Sequence, residues 1–255
     1  MDLEMFKLLA AVLIFVAALM GAILAKRWSR QDEAGPSLSV ANCFAGGVFL
    51  AAGLIHVLPD AQGQLASVFP AMDYPLFGLL ATASVALMVM IDQWGHSRVS
   101  HDPAHQTGIS AAVLFLVLSI HSVITGFALG IEGQGVAAMA LLIAVLAHKG
   151  TATFALALKV APVSENDRRF YQRMIGFALT TPVGVLMGFL ALKHLSGQSG
   201  ALMEGVFDAL AAGTFVYVAL FEILPNEFKK GGAVMAKSFA VVAGAGLMAL
   251  VAIWT

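Results

Sequence analysis

Cysteine is nearly missing from this chain. Cys43 is the only one, so no intrachain disulfide can form, and its apolar surroundings suit a small packing residue. Charge is scarce as well. Asp, Glu, Lys and Arg make up 11% of the 255 residues, whereas a soluble domain carries about 25%. Something other than water must therefore solvate much of the surface. A net charge of −1 leaves no basic surface for nucleic acid. The charge order of a cleavable leader is missing too. Asp2 and Glu4 precede the first apolar run, and Lys26, Arg27 and Arg30 follow it, the reverse of a signal peptide. The run is expected to be retained as a span.

Apolar residues are what the chain has in excess. They make up 60% of it, and the mean hydropathy is +0.88. A bilayer crossing needs about 20 mostly apolar residues. Eight runs qualify, 4–25, 40–59, 75–94, 109–131, 136–159, 170–192, 202–224 and 233–253. Lipid offers no partner to free backbone groups, so each run is expected to be helical. The fold class expected is an all-α integral membrane protein, with residues 1–255 forming one transmembrane domain whose main partner is the lipid bilayer.

Orientation follows from Lys and Arg, which favour the cytoplasmic side. Spans 1, 3, 5 and 7 are followed or closed by Lys26, Arg27, Arg30, Arg98, Lys159, Arg168, Arg169, Arg173, Lys229, Lys230 and Lys237, most of the chain's 14 basic residues. Only Lys7 and Lys193 fall on the other side. Both termini are expected outside or in the periplasm of a plasma membrane or bacterial inner membrane. The segment 95–108 then becomes a cytoplasmic loop holding His96, His101 and His105. It is either a plain connector or a weak metal-collecting strand near an exit.

Two segments repeat. Ala45–Asp60 (AGGVFLAAGLIHVLPD) and Ala211–Asn226 (AAGTFVYVALFEILPN) both begin with small residues, turn apolar, and place a polar side chain, His56 or Glu222, three positions before a proline. Spans 2 and 7 cross in opposite directions, so the copies are inverted, the arrangement of many secondary transporters.

Ionisable residues at bilayer depth are costly and mark functional sites. His121 lies mid-way along span 4, and His148 mid-way along span 5 beside Lys149. The connection around Glu132–Gly135 is so short that the two spans should be antiparallel neighbours. Their imidazoles then sit at similar depth and can bind one transition-metal ion. Thr125 shares the face of His121, and Ser122 can turn inward. At the outer end of span 2, His56 and Asp60 are four apart, which suits either a loosely held entering cation or a simple helix end at Pro59. Asp92 and Glu222 lie on the inner side, with His96 nearby in sequence to Asp92, as candidate exit groups. Lys149 either occupies the place of a second metal or is uncharged at that depth.

Taken together, the segments GGVFLAAGLIHVLPDA, HSVITGFALG, AHKGTATFALALK, TTPVG and AGTFVYVALFEILPNEF resemble the ZIP (Zrt/Irt-like protein) family over nearly the whole chain. The His-Ser, His-Lys and Phe-Glu-Ile-Leu-Pro forms look most like the branch containing the plasma-membrane zinc importers of animals. The resemblance implies eight helices in an inverted 3+2+3 repeat, and zinc or another divalent transition metal as transported substrate. It implies movement into the cytosol by alternating access, homodimers, and one helix group shifting against another. Carried over by position, His121, Ser122 and His148 match metal ligands, and Asp92 and Glu222 match exit-path acids. The chain departs from the family where many members have Glu, at Thr125, Ala152 and Thr181, and where many have Asn or Asp, at Lys149. Those departures imply a single metal site. A metal sensor that does not transport is a rival reading. An intramembrane metal-dependent hydrolase is another, although no His-Glu-x-x-His pattern occurs.

Overall fold

A computed structural model describes residues 2–31, 35–98, 103–133, 135–191 and 198–253. Among these residues there is no strand. Eight helical spans are long and apolar enough to cross a membrane. Span 1 is α1 (Leu3–Gln31), span 3 is α4 (Leu76–Arg98), and spans 4, 5 and 6 are α5 (Pro103–Ile131), α6 (Gly135–Val160) and α7 (Asp167–Ala191). Span 8 is α10 (Val234–Val251). Span 2 joins α2 (Pro36–Ala51), a π-helical stretch π1 (Ala52–Val57) and α3 (Leu58–Val68). Span 7 does the same with α8 (Gln198–Tyr217), π2 (Val218–Ile223) and α9 (Leu224–Lys229). After eight crossings Leu3 and Val251 lie at one end of the bundle, called here the Leu3 side, and the opposite end is the Lys26 side.

Two boundaries differ from expectation, each for a physical reason. Spans 2 and 7 do not stop at their prolines but run on to Val68 and Lys229. Pro59 and Pro225 lack an N–H, and their rings crowd the carbonyl four residues back. The preceding turn widens to a π-helix, which absorbs the proline without ending the helix. Pro59 and Pro225 each fall in the first turn of the helix that follows, where no donor is missed. The second difference is the segment 95–108. It is not one long loop, because α4 continues to Arg98 and α5 begins at Pro103. His101 and the side chains of His96 and His105 lie outside the described residues.

The packing has an internal symmetry. Exchange spans 1, 2, 3 and 4 with 6, 7, 8 and 5, and the main contacts map onto each other. The pair α1·α6 becomes α7·α5, α2·α10 becomes α8·α4, and α2·α6 becomes α8·α5. The exchanged spans cross in opposite directions, so the repeat is inverted. The same contacts sort the helices into two groups, α1, α5, α6 and α7 against α2, α3, α4, α8, α9 and α10.

Small residues permit these approaches, since lipid provides no hydrophobic drive between helices and close van der Waals contact must supply it. A Cβ on Gly126 would press on the Thr181 carbonyl, and one on Gly184 on the Val123 carbonyl, so α5 and α7 touch backbone to backbone. Span 2 meets α10 in the same way through Gly47 and Gly244. On the Lys26 side, Gly231 and Gly232 have φ of 66° and 63°, values that glycine adopts without steric cost. Lys237, counted above with the basic loop residues, is instead buried in α10. Its ammonium donates to the carbonyls of Glu227 (2.7 Å) and Gly231 (2.6 Å) and fastens that turn.

Candidate metal centre

His121 on α5 and His148 on α6 meet in the middle of the bundle. Their ring centres are 5.8 Å apart, with the planes inclined by 56°. Two imidazoles on one tetrahedral zinc, with Zn–N of about 2.0–2.1 Å, place ring centres about 5 Å apart. The observed spacing is therefore within a small ring movement of a shared ion. Both residues are buried, and the Nδ1 atom of each has no partner at hydrogen-bonding geometry. Buried polar atoms are nearly always satisfied, and these two imidazoles line one small cavity with room for a ligand. Thr125 Oγ1 donates to the His121 carbonyl at 3.0 Å and lies 3.2 Å from His121 Nε2. A hydroxyl has one hydrogen. Spent on the carbonyl, it leaves oxygen lone pairs toward Nε2, which favours the tautomer with Nε2 protonated and Nδ1 bare.

The space between the rings is a cavity of about 10 Å³ lined by His121, Ser122, Thr125, His148, Lys149 and Thr181, with apolar neighbours including Phe177. That is about the room one water or one ion needs. Five of the sequence candidates are thus brought together. Lys149, Ser122 and Thr125 are already engaged. The Lys149 ammonium donates to Ser122 Oγ at 2.7 Å and lies 4.2 Å from the centre of the Phe177 ring, an acceptor and a π-face that offset its burial. Thr125 serves His121 as described. Thr181 is the departure from pattern that gains importance, because its Oγ1 is buried and without a partner. Among the described residues no three His, Cys, Asp or Glu side chains gather as a metal cluster. An ion here would rest on two imidazoles plus hydroxyl or water oxygens.

Phe215 on α8 closes the site from the other helix group. Its ring centre is 4.1 Å from that of His121 and 5.6 Å from that of His148. Sequence reasoning passed over it as one more apolar residue of span 7.

On the Leu3 side, a cavity of about 420 Å³ is lined by His56, Asp60, Glu132, Glu204 and Asp208, among others. His56 Nδ1 is 3.3 Å from Asp60 Oδ2, as their spacing predicted. Glu204 and Asp208 were missed. Their signal was present, two carboxylates four apart within an apolar span. On the Lys26 side the candidate exit groups Glu222 and Asp92 are engaged with neighbouring side chains. Glu222, within π2, is held by Lys159 at 2.7 Å, and Asp92 on α4 accepts from Gln93 at 3.5 Å. Glu227 accepts from Ser39 and Asn42 of α2, both at 2.7 Å, and from Lys230.

A family profile described as ZIP zinc transporter matches residues 2–107 and 95–252. Zinc transporter ZIP2 of Mus musculus is 31% identical over 279 residues, covering 89% of this chain and 90% of the relative. Zinc transporter ZIP1 of Homo sapiens is 28% identical over 282 residues, covering 94% and 87%. Protein zntD of Dictyostelium discoideum is 35% identical over 146 residues, covering 56% of this chain and 21% of the relative.

Proposed function

The chain belongs to the ZIP zinc transporter family, and on that premise we propose that it carries zinc, or a similar divalent transition metal, into the cytosol through one central site. The observation that carries this reading is the pair of buried imidazoles, 5.8 Å apart, each with a nitrogen lacking a partner. His121 and His148 bind the ion, Thr181 and water complete its shell, and Ser122 and Thr125 orient Lys149 and His121. With no carboxylate among the residues lining the site, the ion is held loosely, which suits release. Lys149 stands where a second ion would otherwise sit.

The metal reaches the site from the Leu3 side past His56 and Asp60, drawn by the carboxylates of Glu204 and Asp208. It leaves on the Lys26 side past Asp92 and Glu222, where His96 is a further candidate. The basic residues clustered at that end favour a cytoplasmic side there, in a plasma or bacterial inner membrane. The protein works as a homodimer. α10 offers Met235, Phe239 and Val242 as an exposed face for this contact, and molar mass in detergent tests it.

Uptake of zinc into proteoliposomes tests the central assignment. The variant His121→Ala with His148→Ala should lose uptake while remaining folded. Undiminished uptake in that variant removes the proposed site.

A further inference from the structure

Where α1, α2 and α6 come together, a groove of about 540 Å³ lies along the outside of the bundle. α1 and α2 each pack on α6, and α6 forms the floor between them. The atom nearest to a Cβ built on Gly150 is the Ala17 carbonyl oxygen, at 3.9 Å, so the floor has open space above it. On the α1 wall Met20, Leu24 and Trp28 are exposed. None of the described residues lining the groove is ionisable. The Thr151 hydroxyl at its floor is spent on the His148 carbonyl, at 2.8 Å. The groove therefore offers an apolar surface and little else.

Its length and level are specific. From Ala17 to Trp28 the α1 wall rises about 16 Å. One leaflet of a hydrocarbon core about 30 Å thick is about 15 Å deep. The deep end, at Ala17 and Gly150, lies at the level of the central site. The shallow end, on the Lys26 side, is bounded by Trp28, whose ring meets that of Phe154 edge-on with centres 6.0 Å apart. Tryptophan favours the headgroup level. That end is also positive. Arg27 is exposed and shares a face of α1 with Met20 and Leu24. Lys26 turns elsewhere, to Asp167 at 3.3 Å and over the Phe170 ring. α2 starts on the same side at Pro36, with no side-chain cap and no acidic residue in its first turn, so its end adds partial positive charge.

We propose that this groove holds one acyl chain of an anionic phospholipid from the Lys26-side leaflet, with the lipid's phosphate beside Arg27 and the first turn of α2. A void there would cost the lining its dispersion contacts, and a lipid tail is apolar, slender and one leaflet long. A helix of a second copy fits worse, because it is about 10–12 Å wide and crosses both leaflets, whereas the groove ends half-way. Basic ground between transmembrane helices selects anionic headgroups over zwitterionic ones. The lipid would brace a seam, since α1 and α6 belong to one helix group and α2 to the other.

The test offers the full chain, purified in detergent, an equimolar mixture of phosphatidylglycerol and phosphatidylcholine with identical acyl chains. Native mass spectrometry then reads what stays bound. The parent should retain one phospholipid per chain, with phosphatidylglycerol favoured several-fold. Arg27→Gln should bring the two lipids close to parity. Ala41→Phe, which fills the groove from α2, should lower retention of both several-fold, and Ala17→Phe fills it from α1 should the first variant not fold. Leu87→Phe, on the exposed face of α4, adds the same bulk elsewhere and should retain lipid as the parent does. Equal retention of both lipids by the parent, or retention unchanged when the groove is filled, overturns the proposal. So does a disulfide-linked dimer formed in membranes by Cys43→Ser with Met20→Cys, which would put a second copy over the groove.

Discussion

The Lys149 ammonium lies 2.7 Å from Ser122 Oγ, beside the two imidazoles and inside the same small cavity. A full positive charge there opposes a divalent ion. At an effective dielectric of about 20, unit charges about 6 Å apart interact by roughly 3 kcal/mol, and the ion carries two. Lys149→Met keeps the length of the side chain and removes the charge. It should lower KM for zinc by tenfold or more in the uptake assay, and slow release should reduce kcat. An unchanged KM would mean that Lys149 is not charged when the ion is bound.

Thr181 separates a binding role from a structural one. Its hydroxyl is buried and unpaired, and such a group costs about 1–3 kcal/mol. If the hydroxyl served only the fold, Thr181→Val would leave metal handling alone. The expected outcome is a protein as stable as the parent, or more so, by thermal unfolding in detergent. Its zinc KM should be several-fold higher, because an oxygen donor has gone. Loss of stability with unaltered KM would contradict the assignment.

The fold was legible because its main cause is composition. Eight apolar runs could only be helices in lipid, and eight are found. The central imidazoles were legible from depth alone, since a short α5–α6 connection leaves His121 and His148 no other level. What the sequence hid is instructive. Pro59 and Pro225 looked like helix ends because proline has two local effects, and only packing on both sides shows that a π-turn has absorbed them. The Lys159–Glu222 pair was hidden because it joins residues 63 apart, and a basic residue at a span end is explained equally well by the membrane interface. Glu204 and Asp208 were overlooked although their spacing marks one helix face. The internal likeness of α5 and α6, Phe-Ala-Leu in both, was overlooked because it spans two adjacent helices rather than two distant segments.

The contact between α5 and α7 makes a sharp stability prediction. Gly126→Ala would drive a methyl into the Thr181 carbonyl, and backbone cannot yield as a side chain can. Overpacking of this kind costs about 1–3 kcal/mol or more. The loss should appear as a lower unfolding temperature by fluorescence-detected size exclusion, with weaker uptake because Thr181 itself is displaced. Gly176→Ala on α7 meets open space and serves as the control. It should be neutral or stabilising by about 0.5–1 kcal/mol. Equal tolerance of both changes would show that the helices are not in backbone contact.

The Leu3-side cavity should behave as an electrostatic funnel rather than a tight site. Glu204 and Asp208 stand one helical turn apart on α8 and share the cavity with Asp60 and Glu132. A concave site lined by one sign of charge raises the local concentration of counter-ions, and salt weakens the effect. Glu204→Gln with Asp208→Asn should therefore reduce uptake at sub-saturating zinc several-fold and leave the maximal rate nearly intact. The parent's sub-saturating rate should fall as ionic strength rises, and the double variant's should respond much less. A matched fall in maximal rate, with salt dependence preserved, would instead make these carboxylates ligands in the transport cycle.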